Sequence, residues 1–137
     1  MKTNTQVTGN IGMYYVSYRL STLGYNVLAT ARNAKGIDLV VYNETATKML
    51  GIQVKCLAKK NTAIPLGKHE NLDHLIGEVW TVVVLNGEER PNTYVLTLDE
   101  IKAAAHQQTK DSSWWVNYKK FAKPEYLERW NLVSDRL

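Results

Sequence analysis

The spacing of apolar positions changes several times along the chain, and each change marks an element. In TGNIGMYYVSYRLSTLGY, Gly12, Val16, Leu20 and Leu23 fall on one stripe at helical spacing, and Ile11, Tyr15 and Tyr18 widen it. That predicts a helix, and Gly24 stands where a left-handed residue ends one. The period then drops to two. YNVLATA, IDLVVY and MLGIQVKCLA read as three strands separated by the turns NAKG and NETATK. Connections this short make an antiparallel meander the economical pairing.

KKNTAIPLGKHE is then a polar, basic loop, and NLDHLIGE reads as a short helix. VWTVVVLN is almost wholly apolar, which predicts a strand buried on both faces. GEERPN is a turn and TYVLT a fifth strand. Thr97 and Glu100 form a capping box that opens a helix reaching about Gln107, with Ile101, Ala104 and Ala105 toward the core. SSWWVNYKKF fits a strand or a loop. Pro124 opens a last helix lined by Tyr126, Trp130, Val133 and Leu137. The predicted order is α-β-β-β-α-β-β-α-α, an α/β (α+β) domain on a single mixed β-sheet. The 137 residues suit one core, so residues 1–137 are read as one domain.

Charge adds a modest preference. The net charge of +4 leans toward a polyanionic partner such as nucleic acid. The single cysteine, Cys56, excludes an intramolecular disulfide and a cysteine zinc cluster, and suits a reducing cytoplasm. MKTNTQVTGN lacks the apolar run of a secretory signal, and no apolar stretch is long enough to span a membrane.

One stretch carries chemistry. Strand side chains alternate between faces, so in GIQVKC Gln53 and Lys55 share one face, while Ile52, Val54 and Cys56 share the other. In GIDLVVY, Asp38 points away from Ile37, Leu39 and Val41. On neighbouring strands, Asp38, Gln53 and Lys55 converge. Charges taken out of water need partners. Two accounts follow: a structural Asp38–Lys55 ion pair with Gln53 hydrogen-bonded beside it, or a site for a metal and a phosphate.

GIDLVVY followed by GIQVKC, after an amphipathic helix and the strand entry LGYNVL, resembles the PD-(D/E)XK nuclease superfamily in a variant with Gln at the second acidic position. The resemblance runs from about Gly9 to about Leu85. It implies a restriction-endonuclease-like core and phosphodiester hydrolysis in DNA with Mg²⁺ or Mn²⁺. Asp38 would be the main ligand of the ion, with the Gln53 side-chain oxygen and the Val54 carbonyl adding to it. Lys55 would sit at the scissile phosphate, orienting water or stabilising transition-state charge. Two departures bear on the ion. Gln53 is neutral, and residues 1–37 contain no acid, so the first helix has no carboxylate to offer. The expectation is one weakly held ion, or a catalytically weak or inactive nuclease-fold module that binds nucleic acid or a protein. Glu70, Asp73 and Glu78 are the candidates for a compensating carboxylate.

Lys59, Lys60 and Lys68 follow the site without an intervening acid and read either as phosphate contacts or as a solvated loop. Arg32 and Lys35, before Asp38, take the same two readings. His69, Asp73 and His74 lack zinc spacing and read as surface or capping residues. Trp114 and Trp115 read as packing residues, with base stacking as the alternative. Tyr14, Tyr15 and Tyr18 suggest a contact between copies of the chain, a homo-oligomer. Cys56 reads as an inert buried thiol.

Overall fold

A computed structural model of the chain describes residues 4–31 and 36–137; Arg32 and Lys35 lie outside the described residues. Helix α1 spans Thr5–Thr22. The Asn4 side chain caps it by accepting the Val7 N–H at 2.8 Å. Gly24, at φ +94, ends it, and the Tyr25 N–H turns back to the Leu20 carbonyl at 3.1 Å. Thr8, Gly12, Val16 and Leu20 are its buried face.

The strands are β1 (Asn26–Ala29), β2 (Leu39–Tyr42), β3 (Met49–Leu57), β4 (Ile64–Gly67), β5 (Val79–Asn86), β6 (Glu89–Thr97) and β7 (Trp114–Val116). Five of them form the main sheet in the order β1-β2-β3-β5-β6. β3 and β5 run parallel and every other pair is antiparallel, so the sheet is mixed and begins with the expected meander. Val79 to Val84 are all buried, as an apolar central strand requires. Alternation along β5 divides the core. Val79 and Val83 join Val16, Leu20, Leu39 and Ile52 beneath α1. Trp80, Val82 and Val84 join Leu66, Ile101 and Phe121 on the other face.

α1 lies so close to β3 that position 12 has no room for a side chain. A Cβ there would sit 2.5 Å from the Cys56 Cβ and 3.0 Å from its Sγ. Gly12→Val is therefore expected to destabilise the protein by roughly 1–3 kcal/mol, the scale of core overpacking, as read from urea melts.

Elsewhere the chain departs from the sequence reading. NLDHLIGE is not a helix. The Asn71 side chain accepts the Asp73 N–H at 2.9 Å, and Leu75 N–H reaches only back to Leu72 O at 3.1 Å. A short segment with a side chain competing for its own backbone does not sustain a helix. The basic loop contains β4, whose Ile64 and Leu66 are buried. β4 pairs with β7 in a second, two-stranded sheet, which makes Trp114–Val116 of the SSWWVNYKKF stretch a strand. The chain then enters α3 (Tyr118–Phe121). The capping box forms as expected and opens α2 (Leu98–Ala104). α2 stops before Gln107 because His106 exchanges backbone hydrogen bonds with Trp115 at 2.9 and 2.8 Å. The last helix is broken into a 3-10 turn at Pro124–Tyr126 and α4 (Asn131–Ser134). Between them Glu128, at φ +52, donates its N–H to Thr93 O at 2.8 Å, which docks the chain on β6.

Candidate active site

Asp38 stands one residue before β2, where β2 and β3 part. Its backbone is held on both sides: the N–H donates to Ile52 O and the carbonyl accepts from Thr30 N–H, each at 2.9 Å. The Thr30 hydroxyl also donates to Ile37 O at 2.6 Å. With the backbone fixed, the carboxylate reaches across to β3. Its Oδ2 accepts the Val54 N–H and the Gln53 Nε2–H, both at 2.8 Å. Oδ1 accepts no hydrogen bond among the described residues. Gly77 adds a close approach from the other side. It sits at φ +92, and a Cβ there would be 3.1 Å from Gly36 O and 3.4 Å from Gln53 N.

Lys55 completes the cluster. It is half-buried on the Gln53 face, and among the described residues it makes no ion pair or hydrogen bond. Its ammonium lies 5.9 Å from the centre of the Trp80 ring, over the aromatic face. Burial lowers its pKa from the usual lysine value, and the Asp38 charge offsets part of that. The structural ion pair entertained from the sequence is therefore not formed. Asp38 Oδ2 is satisfied by the Val54 and Gln53 N–H donors, and the ammonium is left without a hydrogen-bonded counter-charge.

The three side chains lie between two hollows. A cleft of about 830 Å³ on the α1 side is lined by Gln6, Asn10 and Tyr14 with Thr30, Asp38 and Val54. A cavity of about 480 Å³ opens on the Lys55 side, lined by Gln53, Lys55, His69, His74, Ile76 and Trp80 among others. The sequence reading missed Gln6, Asn10 and Thr30. The helical amides were legible in principle as a polar i, i+4 pair flanking the buried stripe.

Other candidates fall outside the cluster. Lys59, Lys60 and Lys68 are exposed and line neither hollow. Glu70, Asp73 and Glu78 are also exposed and line neither, so they bring no compensating carboxylate to Asp38. Among the described residues, no three His, Cys, Asp or Glu gather as a metal cluster. Trp114 is half-buried and donates its Nε1–H to His69 O at 2.9 Å, whereas Trp115 is exposed. Tyr14 and Tyr18 are about two-thirds exposed, at 67% and 66%. Cys56 faces α1, and burial pushes its thiol up to about 11, which keeps it protonated and unreactive. No helix among the described residues is long and apolar enough to cross a membrane.

The architecture is a mixed α/β fold on one main sheet, with a cluster of polar side chains where two strands part. That fold is shared with a solved bacterial homing endonuclease, I-Ssp6803I, at a TM-score of 0.66 and 20% sequence identity, covering 97% of this chain and 95% of that one. No family model matches the sequence, and neither does any curated protein.

Proposed function

We propose that the protein is a metal-dependent endonuclease that hydrolyses phosphodiester bonds in DNA, through a PD-(D/E)XK-type site with Gln53 at the second acidic position. The observation that carries this reading is the meeting of Asp38, Gln53 and Lys55 at the parting of β2 and β3, with a half-buried ammonium that feels the Asp38 charge but makes no salt bridge or hydrogen bond among the described residues. An unpaired buried charge is a cost to the fold, and such costs concentrate where a ligand completes the site. A phosphate is the complementary ligand. The likeness in fold to a homing endonuclease supports the same reading.

The residues fit a hard divalent ion. Asp38 Oδ1 accepts no hydrogen bond among the described residues, and Gln53 Nε2, which donates to Asp38 Oδ2, also lies 3.4 Å from the Val54 carbonyl. A turn of the Gln53 amide would present its oxygen to the same point. One carboxylate with neutral oxygens suits one Mg²⁺ or Mn²⁺ held loosely. The ion supplies Lewis-acid polarisation of a phosphate oxygen and acidifies an attacking water. Asp38 would hold the ion, with the Gln53 side-chain oxygen and the Val54 carbonyl as neutral ligands, and Lys55 would bind the phosphate and counter the charge that grows in the transition state. Lys59, Lys60 and Lys68, with Arg32 and Lys35, would hold the strand further along by phosphate contacts. The exposed Tyr14 and Tyr18 offer a face for a second copy, which a cut in both strands calls for. A cytoplasmic setting completes the proposal.

The test is cleavage of plasmid, linear, branched and single-stranded DNA with Mg²⁺ or Mn²⁺. Cutting that needs the ion and is absent from Lys55→Ala supports the enzyme. Intact substrate throughout, with folded protein, favours a second reading. In that reading the Gln53–Asp38 hydrogen bond has replaced the ion, and the domain binds nucleic acid or a protein without cutting.

Gln53→Glu separates the two. It removes the amide donor and sets two carboxylates side by side, so the ion-free variant is expected to be less stable by roughly 1–3 kcal/mol. Millimolar Mg²⁺ is expected to restore that stability in a thermal melt, more than it raises the wild type. A variant indifferent to Mg²⁺ would refute an ion site at Asp38.

A further inference from the structure

The cavity on the Lys55 side has features that phosphate binding leaves unexplained. Two imidazoles stack in its wall: His69 and His74 have ring centres 3.5 Å apart and planes inclined by 24°. The stack is anchored. The Leu66 carbonyl can only accept, so His74 Nε2 donates to it, at 3.0 Å. The His69 carbonyl is held by Trp114 Nε1–H at 2.9 Å. The His69 ring lies over Gly67, where a Cβ would come within 3.1 Å of Nε2. Leu75 and Ile76 add apolar walls, and Trp80 lines the same cavity. Trp80 is 2% exposed, yet its indole Nε1–H has no acceptor among the described residues. A flat aromatic surface, apolar walls and an ammonium thus share one hollow of about 480 Å³.

We infer that this cavity receives one unpaired nucleobase, stacked against the His69–His74 pair, with its neighbouring phosphate at Lys55. The inference rests on the nuclease reading and names its substrate class: a strand with an unpaired nucleotide beside the bond to be cut. A base has a π-face that any aromatic platform accepts, and it is tethered to the anion that Lys55 wants. A base inside a duplex is stacked on both sides and cannot enter a walled cavity until it leaves the helix. The requirement therefore selects single-stranded, mismatched or branched DNA over a fully paired duplex.

The test uses the full chain in EDTA, so that nothing is cut, and a single-stranded DNA oligonucleotide carrying 5-iodouracil. Irradiation is expected to join the oligonucleotide to a peptide holding His69, His74 or Trp80. His69 makes no side-chain hydrogen bond among the described residues, so His69→Ala is expected to melt like the wild type. It should bind the same oligonucleotide roughly tenfold more weakly, the scale of one lost base stack. It should also lose the crosslink at saturating protein. Bound oligonucleotide that crosslinks only elsewhere overturns the pocket and leaves the nuclease reading standing. Absence of binding to single-stranded and duplex DNA alike removes the nuclease reading, and this inference with it. The crosslink map on the wild type decides the matter even if the variant folds poorly.

Discussion

Lys55→Ala is expected to lose DNA cleavage by roughly 10²–10³-fold or more, the scale for removing one preorganised charge from a transition state, and yet to be no less stable than the wild type. The two halves of this result come from one feature. The ammonium is half-buried and makes no ion pair or hydrogen bond among the described residues, with only the Trp80 ring and the nearby Asp38 charge to favour it. Burial holds its pKa below the ordinary 10.5, so the folded chain binds that proton less tightly than the unfolded chain does. Between the lowered value and 10.5 the unfolded state carries more protons, and stability rises with pH. The penalty is fully present below the folded pKa and is gone above the unfolded one. Urea melts near pH 7 and pH 10 are expected to show this rise in the wild type, with Lys55→Ala lacking Lys55's share of it. Had Lys55 been half of a buried structural pair, its removal would cost roughly 3–5 kcal/mol, and lost cleavage would only report lost fold. A destabilised Lys55→Ala protein would return the cluster to that structural account.

The same contrast shows what the sequence could and could not convey. Strand alternation is local, so the shared face of Gln53 and Lys55 and the approach of Asp38 were legible from spacing alone. The buried β5 and the capping box at Thr97 were legible for the same reason. What failed depended on distant partners. β4 and β7 are three or four residues each and exist because they pair across a long separation. The terminal helix breaks because Leu127 and Glu128 dock on β6. NLDHLIGE has apolar spacing compatible with a helix, but Asn71 diverts its backbone and Gly77 must turn toward Gln53. The Asp38–Lys55 ion pair, one of the two accounts the sequence allowed, was a fair reading of two charges on neighbouring strands. It gave way to amide donors because the Val54 N–H and Gln53 Nε2 lie nearer to the carboxylate, at 2.8 Å. The cleft beside Gln6 and Asn10 is tertiary, formed only when α1 packs on the face of the sheet over β3.

Asp38 carries the other large effect, and two substitutions divide its roles. On the proposed reading the carboxylate has two jobs. Oδ2 continues the β2–β3 ladder by accepting the Val54 N–H, and Oδ1 would be left for an ion. Asp38→Asn keeps the shape and an acceptor oxygen for Val54, but it takes away the one charge that would hold Mg²⁺. Its melting temperature is expected to stay near that of the wild type. Its cleavage is expected to fall by roughly 10³-fold or more, since Lewis-acid stabilisation by an ion is worth several kcal/mol and each 1.36 kcal/mol is tenfold. Asp38→Ala removes the acceptor as well. The half-buried Val54 N–H is then orphaned, at a further cost of roughly 1–3 kcal/mol in stability. Single-turnover cleavage and urea melts on both variants separate the terms. Equal loss of cleavage with unequal loss of stability is the expected pattern. An Asp38→Asn protein that cuts DNA at the wild-type rate would show that the ion, if there is one, is held elsewhere, and would move the reaction away from the parting of β2 and β3.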